Sequence, residues 1–282
     1  VNGHILQFVA HLGVFVVLVV IARFILNHWA SIDSDNDSTV LEGEGNMAVA
    51  IRHGAFYIAF GIALFATMDL SGGASSFGGI LLESLAWGAG ILVALLLSLF
   101  INDKLVLPYV DNSRAIGQNY VSVAMVEMGT LLGSAFIMSG TMHGTGSILS
   151  TIVFFLIGQV AMVAVMRLYD KISPIDYQNE IGLGNNVAAG LHIAGKVIAI
   201  ALIIRNAVSG DSQGWTTDLL SAGLSFVVGW FALFIVEWLV DLALFPNVTV
   251  KDLIAARKAP PIVLLSAISI ATALFVTAVS PF

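Results

Sequence analysis

Apolar residues gather in eight runs, parted by polar stretches, and this pattern sets the architecture. The runs cover residues 5–26, 47–68, 80–101, 120–139, 148–168, 186–208, 219–240 and 262–280. Each has the roughly 17 to 25 residues that carry an α-helix across a bilayer. None shows the period-two alternation of a membrane β-strand, and backbone groups in hydrocarbon must be satisfied within their own segment. The pattern therefore predicts an all-α integral membrane protein with eight transmembrane helices. The first run has no basic leader and carries Arg23 at its far end, so it is expected to be retained as a span.

A repeat underlies the runs. Gly13, Gly88, Gly158 and Gly229 recur at intervals of 70 to 75 residues, and Asn46, Asn119, Asn186 and Asp252 at intervals of 66 to 73. The chain reads as four two-helix repeats, or two four-helix halves of about 1–140 and 141–282. Each repeat crosses and returns, so successive repeats run parallel and are expected to be related by a pseudo-axis along the membrane normal. An asparagine ahead of an apolar run is a natural helix N-cap. Asn46, Asn119 and Asn186 are expected in that role, with Asp252 as a degenerate fourth copy.

Composition supports the membrane assignment. Hydrophobic residues make up 58% of the chain and charged residues 10%, against about a quarter charged in soluble domains. The net charge of -7 is spread through the connections, and no basic stripe with interleaved aromatics marks a nucleic-acid partner. The absence of cysteine excludes disulfides, thiolate metal sites and cysteine nucleophiles. No nucleophile–base set or phosphate-binding glycine loop is present, so no enzyme is predicted. Arg23, Lys104, Arg114, Arg167, Lys171, Lys251, Arg257 and Lys258 lie in or beside the connections after runs one, three, five and seven. Lysine and arginine collect in cytoplasmic loops, which puts both termini on the outer side.

The candidate chemistry lies inside the runs. Arg52 and His53 fall about two turns into the second, where Arg52 is expected to snorkel toward the interface and His53 is too deep to do so. Glu127 is placed near the bilayer middle in the fourth run, followed by Gly129 and Gly133, whose spacing permits close helix contact. Gln159 lies in the fifth run, and His192 and Lys196 in the sixth. If the even-numbered helices line the pseudo-axis, Arg52 and His53, Glu127, His192 and Lys196, and Arg257 and Lys258 of the second, fourth, sixth and eighth face one another in a water-bearing seam, and Glu127 and Lys196 are expected to pair. A histidine on a small-residue helix is also an ordinary packed residue. In the first polar linker, Asp33, Asp35, Asp37 and Glu44 match the spacing of a calcium-binding EF-hand loop, although Ser38 stands where the turn requires glycine. A solvated acidic loop accounts for the same residues. Calcium here is the one cofactor the sequence raises.

The segment Tyr169-Asp170, then Glu180-Ile-Gly-Leu-Gly-Asn-Asn186-Val-Ala-Ala-Gly-Leu-His-Ile-Ala-Gly195, resembles the bacterial membrane family called domain-of-unknown-function family 350. Glu44-Gly-Asn46-Met-Ala-Val-Ala50 and Gly54 look like the same signature in the first half. The resemblance implies a tandem of two four-helix units and a bacterial inner-membrane location, with no established activity. Two functions are open: a conduit for ions, protons or small polar solutes, and a non-transporting scaffold or assembly module. The expected partners are the lipid bilayer and either further copies or other membrane proteins.

Overall fold

The computed structural model describes residues 2–30, 45–69, 76–143, 147–244 and 248–279. In the first half the chain forms α1 (Asn2–Ala30), α2 (Met47–Ala66), α3 (Phe77–Ile101), a one-turn α4 (Asn112–Gly117) and α5 (Val121–Thr141). The second half has α6 (Ile148–Ile172), a short α7 (Tyr177–Gly182), α8 (Val187–Ala207), α9 (Trp215–Leu244), a short α10 (Val250–Ala255) and α11 (Ala259–Val279). The eight long helices each have the length and apolar composition to cross a membrane. The chain is a multi-pass membrane protein, and no strand occurs among the described residues.

The short helices α4, α7 and α10 escape the hydropathy pattern because each is only six residues long. Asp111, Asp176 and Thr249 cap them, each accepting a backbone amide three residues on. Thr249 does so in a reciprocal box with Asp252. Asp252 thus lies inside α10 and is not the counterpart of the asparagines, because Thr249 has taken the cap of a helix that starts earlier. Its carboxylate is held below the usual range by hydrogen bonds from the Thr249 hydroxyl and amide.

The even-numbered spans pack side by side in chain order, α2 on α5, α5 on α8 and α8 on α11. The other spans flank this row. Among the described residues α2 and α11 do not pack closely on each other, so the expected closure around a central axis gives way to an open row. Small residues on two sides of the middle helices explain the difference. A Cβ on Gly129 would come 2.7 Å from Ala194 Cα, and one on Gly190 would collide with the Ser122 carbonyl oxygen, so α5 and α8 meet backbone to backbone. On another side of α8, a Cβ on Gly195 would lie 2.5 Å from Ser266 Cβ of α11. Helices with two such faces extend a line, because each close contact occupies one face and leaves the other for the next helix. As a result α5 and α8 are almost wholly buried. α9, by contrast, carries exposed Leu219, Leu220, Phe231, Phe234 and Trp238.

Candidate functional site

The asparagines at the helix starts do two jobs at once. Asn46 Oδ1 accepts the Val49 amide at 3.1 Å, and its Nδ2 donates to the carbonyls of Ile116 and Gly117 at 2.7 and 2.9 Å. Asn186 Oδ1 accepts from Ala188 and Ala189, while its Nδ2 reaches the Ile254 carbonyl and Glu180 Oε2, both at 2.8 Å. Each ties the start of one span to the end of the next short helix. Asn119 departs from expectation. It precedes the start of α5 in the left-handed region (φ 64°) and caps α2 instead, accepting the Ala48 amide at 3.1 Å. Asn185 (φ 44°) does the same for α5 by accepting the Ser122 amide at 3.2 Å. Asparagine tolerates that backbone region better than other side chains.

In the first half the charged residues form a sealed pair. Arg52 Nε and Nη2 donate to Glu127 Oε2 and Oε1 at 2.6 and 2.7 Å, joining α2 to α5. Both side chains are at most 5% exposed. The two parallel bonds fit the planar guanidinium and satisfy both carboxylate oxygens. This corrects two expectations: Arg52 does not snorkel, and Glu127 does not pair with Lys196. Glu127 is also shallower than expected, the seventh residue of α5, about 9 Å from the helix start at 1.5 Å per residue. That brings it level with Arg52. Beside the pair lies a cavity of about 20 Å³, lined in part by Asp103, Asn112 and Ser113. Asn102 and Asn112 are fully buried, and none of their amide side-chain atoms has a partner. Asn102 opens a π-helical turn, Asn102–Val106, at the end of α3.

The second half holds its charges differently. Lys196 Nζ meets Glu237 Oε2 of α9 at 2.7 Å, with both side chains 16% exposed, and lies 3.4 Å from Ser269 Oγ of α11. Glu237 Oε1 is buried without a partner. His192 is packed and bonded, its Nε2 2.9 Å from the Tyr169 hydroxyl and its ring stacked on Tyr177 at 6.0 Å. Burial pushes the Tyr177 hydroxyl pKa up. Against the Lys196–Glu237 pair runs a groove of about 240 Å³ between α6, α8 and α9. Its walls include Val165, Leu168, Ile172, Ile200, Trp230 and Phe234.

The remaining candidates do not join these sites. Gln159 is buried and exchanges hydrogen bonds with Ser134 at 3.1 and 3.2 Å. His53 lies against Tyr57 with ring centroids 6.2 Å apart. Arg257 (φ 53°) and Lys258 lie outside α11, so they are not lining residues of a span. Asp33, Asp35, Asp37 and Glu44 fall outside the described residues. Sequence reading passed over Glu237 and Tyr177. An acid within a run should have flagged Glu237, whereas Tyr177 carries no sequence signal because its value lies in where α7 docks.

No curated protein and no solved structure matches the chain. The family model described as Domain of Unknown Function (DUF350) matches residues 1–142 and again residues 143–280. The boundary falls in the connection between α5 and α6. The chain therefore belongs to the DUF350 family, of which it contains two copies in tandem.

Proposed function

We propose that the chain is a non-transporting membrane scaffold in which two four-helix units are fused, each built of two parallel two-helix repeats. The observation that carries this reading is the backbone-to-backbone contact of α5 with α8, which joins the two copies along their most buried helices. A carrier or channel would keep hydrated space where its halves meet, and here glycines bring the main chains together. The polar residues serve as interhelical pairs: Arg52 with Glu127, Lys196 with Glu237, Gln159 with Ser134 and His192 with Tyr169. Outward faces such as that of α9 meet lipid, further copies or partner membrane proteins. The bacterial inner membrane, with both termini outside, is the setting that the charge distribution and the family resemblance favour.

Proteoliposome flux assays with potassium, sodium, chloride and proton gradients test the reading. The wild-type protein is expected to match protein-free vesicles. Flux that falls on Glu127→Gln or Lys196→Met would overturn it. One observation favours the conduit instead: the unpartnered amides of Asn102 and Asn112 beside the Arg52–Glu127 pair. Under that reading Asn112→Leu abolishes a flux that the wild type shows.

A further inference from the structure

We infer that the open row is continued by a second copy of the chain, the outward face of α11 on one molecule docking on the outward face of α2 on the next. The inference rests on the scaffold reading, in which α5 against α8 is the joint between copies, and it names that scaffold's partner. Flux would overturn the scaffold without touching the association, and chains that stay single would overturn the association without producing flux.

The tandem gives the register of the outer joint. From α2 to α8 the offset is 140 residues, set by the capping asparagines Asn46 and Asn186. From α5 to α11 it is 138. The caps Asp111 and Thr249 of the preceding short helices, the left-handed Asn119 and Arg257, and the first residues Val121 and Ala259 all stand that far apart. Inside the chain, Gly129 of α5 lies against Ala194 of α8, and Gly133 against Ala201. The offsets put Ala267 and Ala271 of α11 where α5 has those glycines, and Gly54 and Gly61 of α2 where α8 has those alanines. Each glycine–alanine pair thus reappears with its members exchanged. One methyl group is kept at each level although both helices have changed, which is what a contact between them requires. Lipid makes no such demand on two separate helices.

The two faces are uncovered within one chain. Ala194 and Ala201 are at most 2% exposed, whereas Ala267 and Ala271 are exposed and a Cβ on Gly54 meets nothing within 4 Å. Small residues at matched levels let helix backbones approach and gain packing contact in lipid, where no hydrophobic drive brings helices together. The outer joint is wider than the inner one, because a Cβ at the Gly129 level reaches to 2.7 Å of the facing Cα. At the helix starts Ala50 and Pro260 replace Gly190 and Ser122, so close contact is confined to the two glycine–alanine levels. The contact joins unlike faces, so all chains keep one orientation in the membrane. Such head-to-tail association closes into a ring or runs on as a filament.

Cysteine cross-linking of the full chain, which has no cysteine of its own, tests this. A Cβ on Gly133 would lie 3.0 Å from Ala201 Cβ, and at a slightly wider joint the matching atoms approach the roughly 3.5–4.5 Å that a disulfide spans. Gly61→Cys and Ala271→Cys chains with different affinity tags are co-expressed, and their membranes are oxidised with copper phenanthroline. A disulfide-linked dimer carrying both tags is expected, and neither variant alone should give one. Photobleaching of fluorescently labelled protein in phosphatidylcholine vesicles then counts chains. Wild type should give assemblies, while Gly54→Leu, which has open space within its own chain, and Ala267→Leu should each give single chains. Mixed together, these two variants retain one good face each and should form pairs and nothing larger. Single chains for the wild type would overturn the inference. So would the lack of a dimer with unlike tags, cross-linking of one variant alone to the same extent, or assemblies that survive both leucines.

Discussion

The two copies of one fold treat buried charge in opposite ways. In the first, Arg52 and Glu127 face each other across α2 and α5, with every carboxylate oxygen bonded and both side chains sealed. In the second, the position of Arg52 is held by His192, and the charges move deeper, to Lys196 and Glu237, where they border a groove. Neither pair is required by the fold, because each copy does without the other's. A buried ion pair fixes which helix meets which; a half-covered pair with a free oxygen has bonding capacity left over.

Substitutions at matched positions sharpen the contrast. The largest effect is expected at the junction of the copies. Gly190→Val drives a side chain into the Ser122 carbonyl and should abolish the folded monodisperse protein on size-exclusion chromatography. Its counterpart Ala50 is exposed, so Ala50→Val should elute like wild type. Next come the pairs. Arg52→Met leaves Glu127 charged and buried and should cost about 3–5 kcal/mol. Lys196→Met at the groove should cost about 2 kcal/mol. Both are read from unfolding by sodium dodecyl sulfate in mixed micelles. The double change Arg52→Met with Glu127→Leu should recover most of the first loss, and a double variant as unstable as the single one would show that the pair is more than a packing device. Asn119→Ala removes a cap from the adjacent span and should cost about 1 kcal/mol. Smallest is the coupling of Glu127→Gln with Lys196→Met. Because each side chain has its own partner, the two changes should add to within about 0.5 kcal/mol, and a larger deviation would revive their pairing.

The spans were legible in the sequence because crossing hydrocarbon demands one long apolar run, a one-dimensional property. The caps at Asn46 and Asn186 were legible for a similar reason, since a cap acts on amides two or three residues away. Partner choice was not. Arg52 and Glu127 are 75 residues apart, and whether they meet depends on the rotation of each helix about its axis. On helices rich in alanine and glycine on several sides, hydropathy carries little trace of that rotation. The row arrangement was hidden for the same reason: Gly129 and Gly133 announce one close face, but only the packed structure shows that α8 has two.

The displaced caps bear on how such a chain is made. The first-turn amide of α2 waits for Asn119, and that of α5 for Asn185, residues synthesised 71 and 63 positions later. In those two spans a first-turn amide is therefore capped only once the following unit has emerged, which gives that part of assembly a direction, whereas α8 is capped at once by its own Asn186. In α11 the matter is settled by chemistry instead. Its second and third residues are Pro260 and Pro261, which have no amide hydrogen to satisfy, so α11 presents no donor at these two positions.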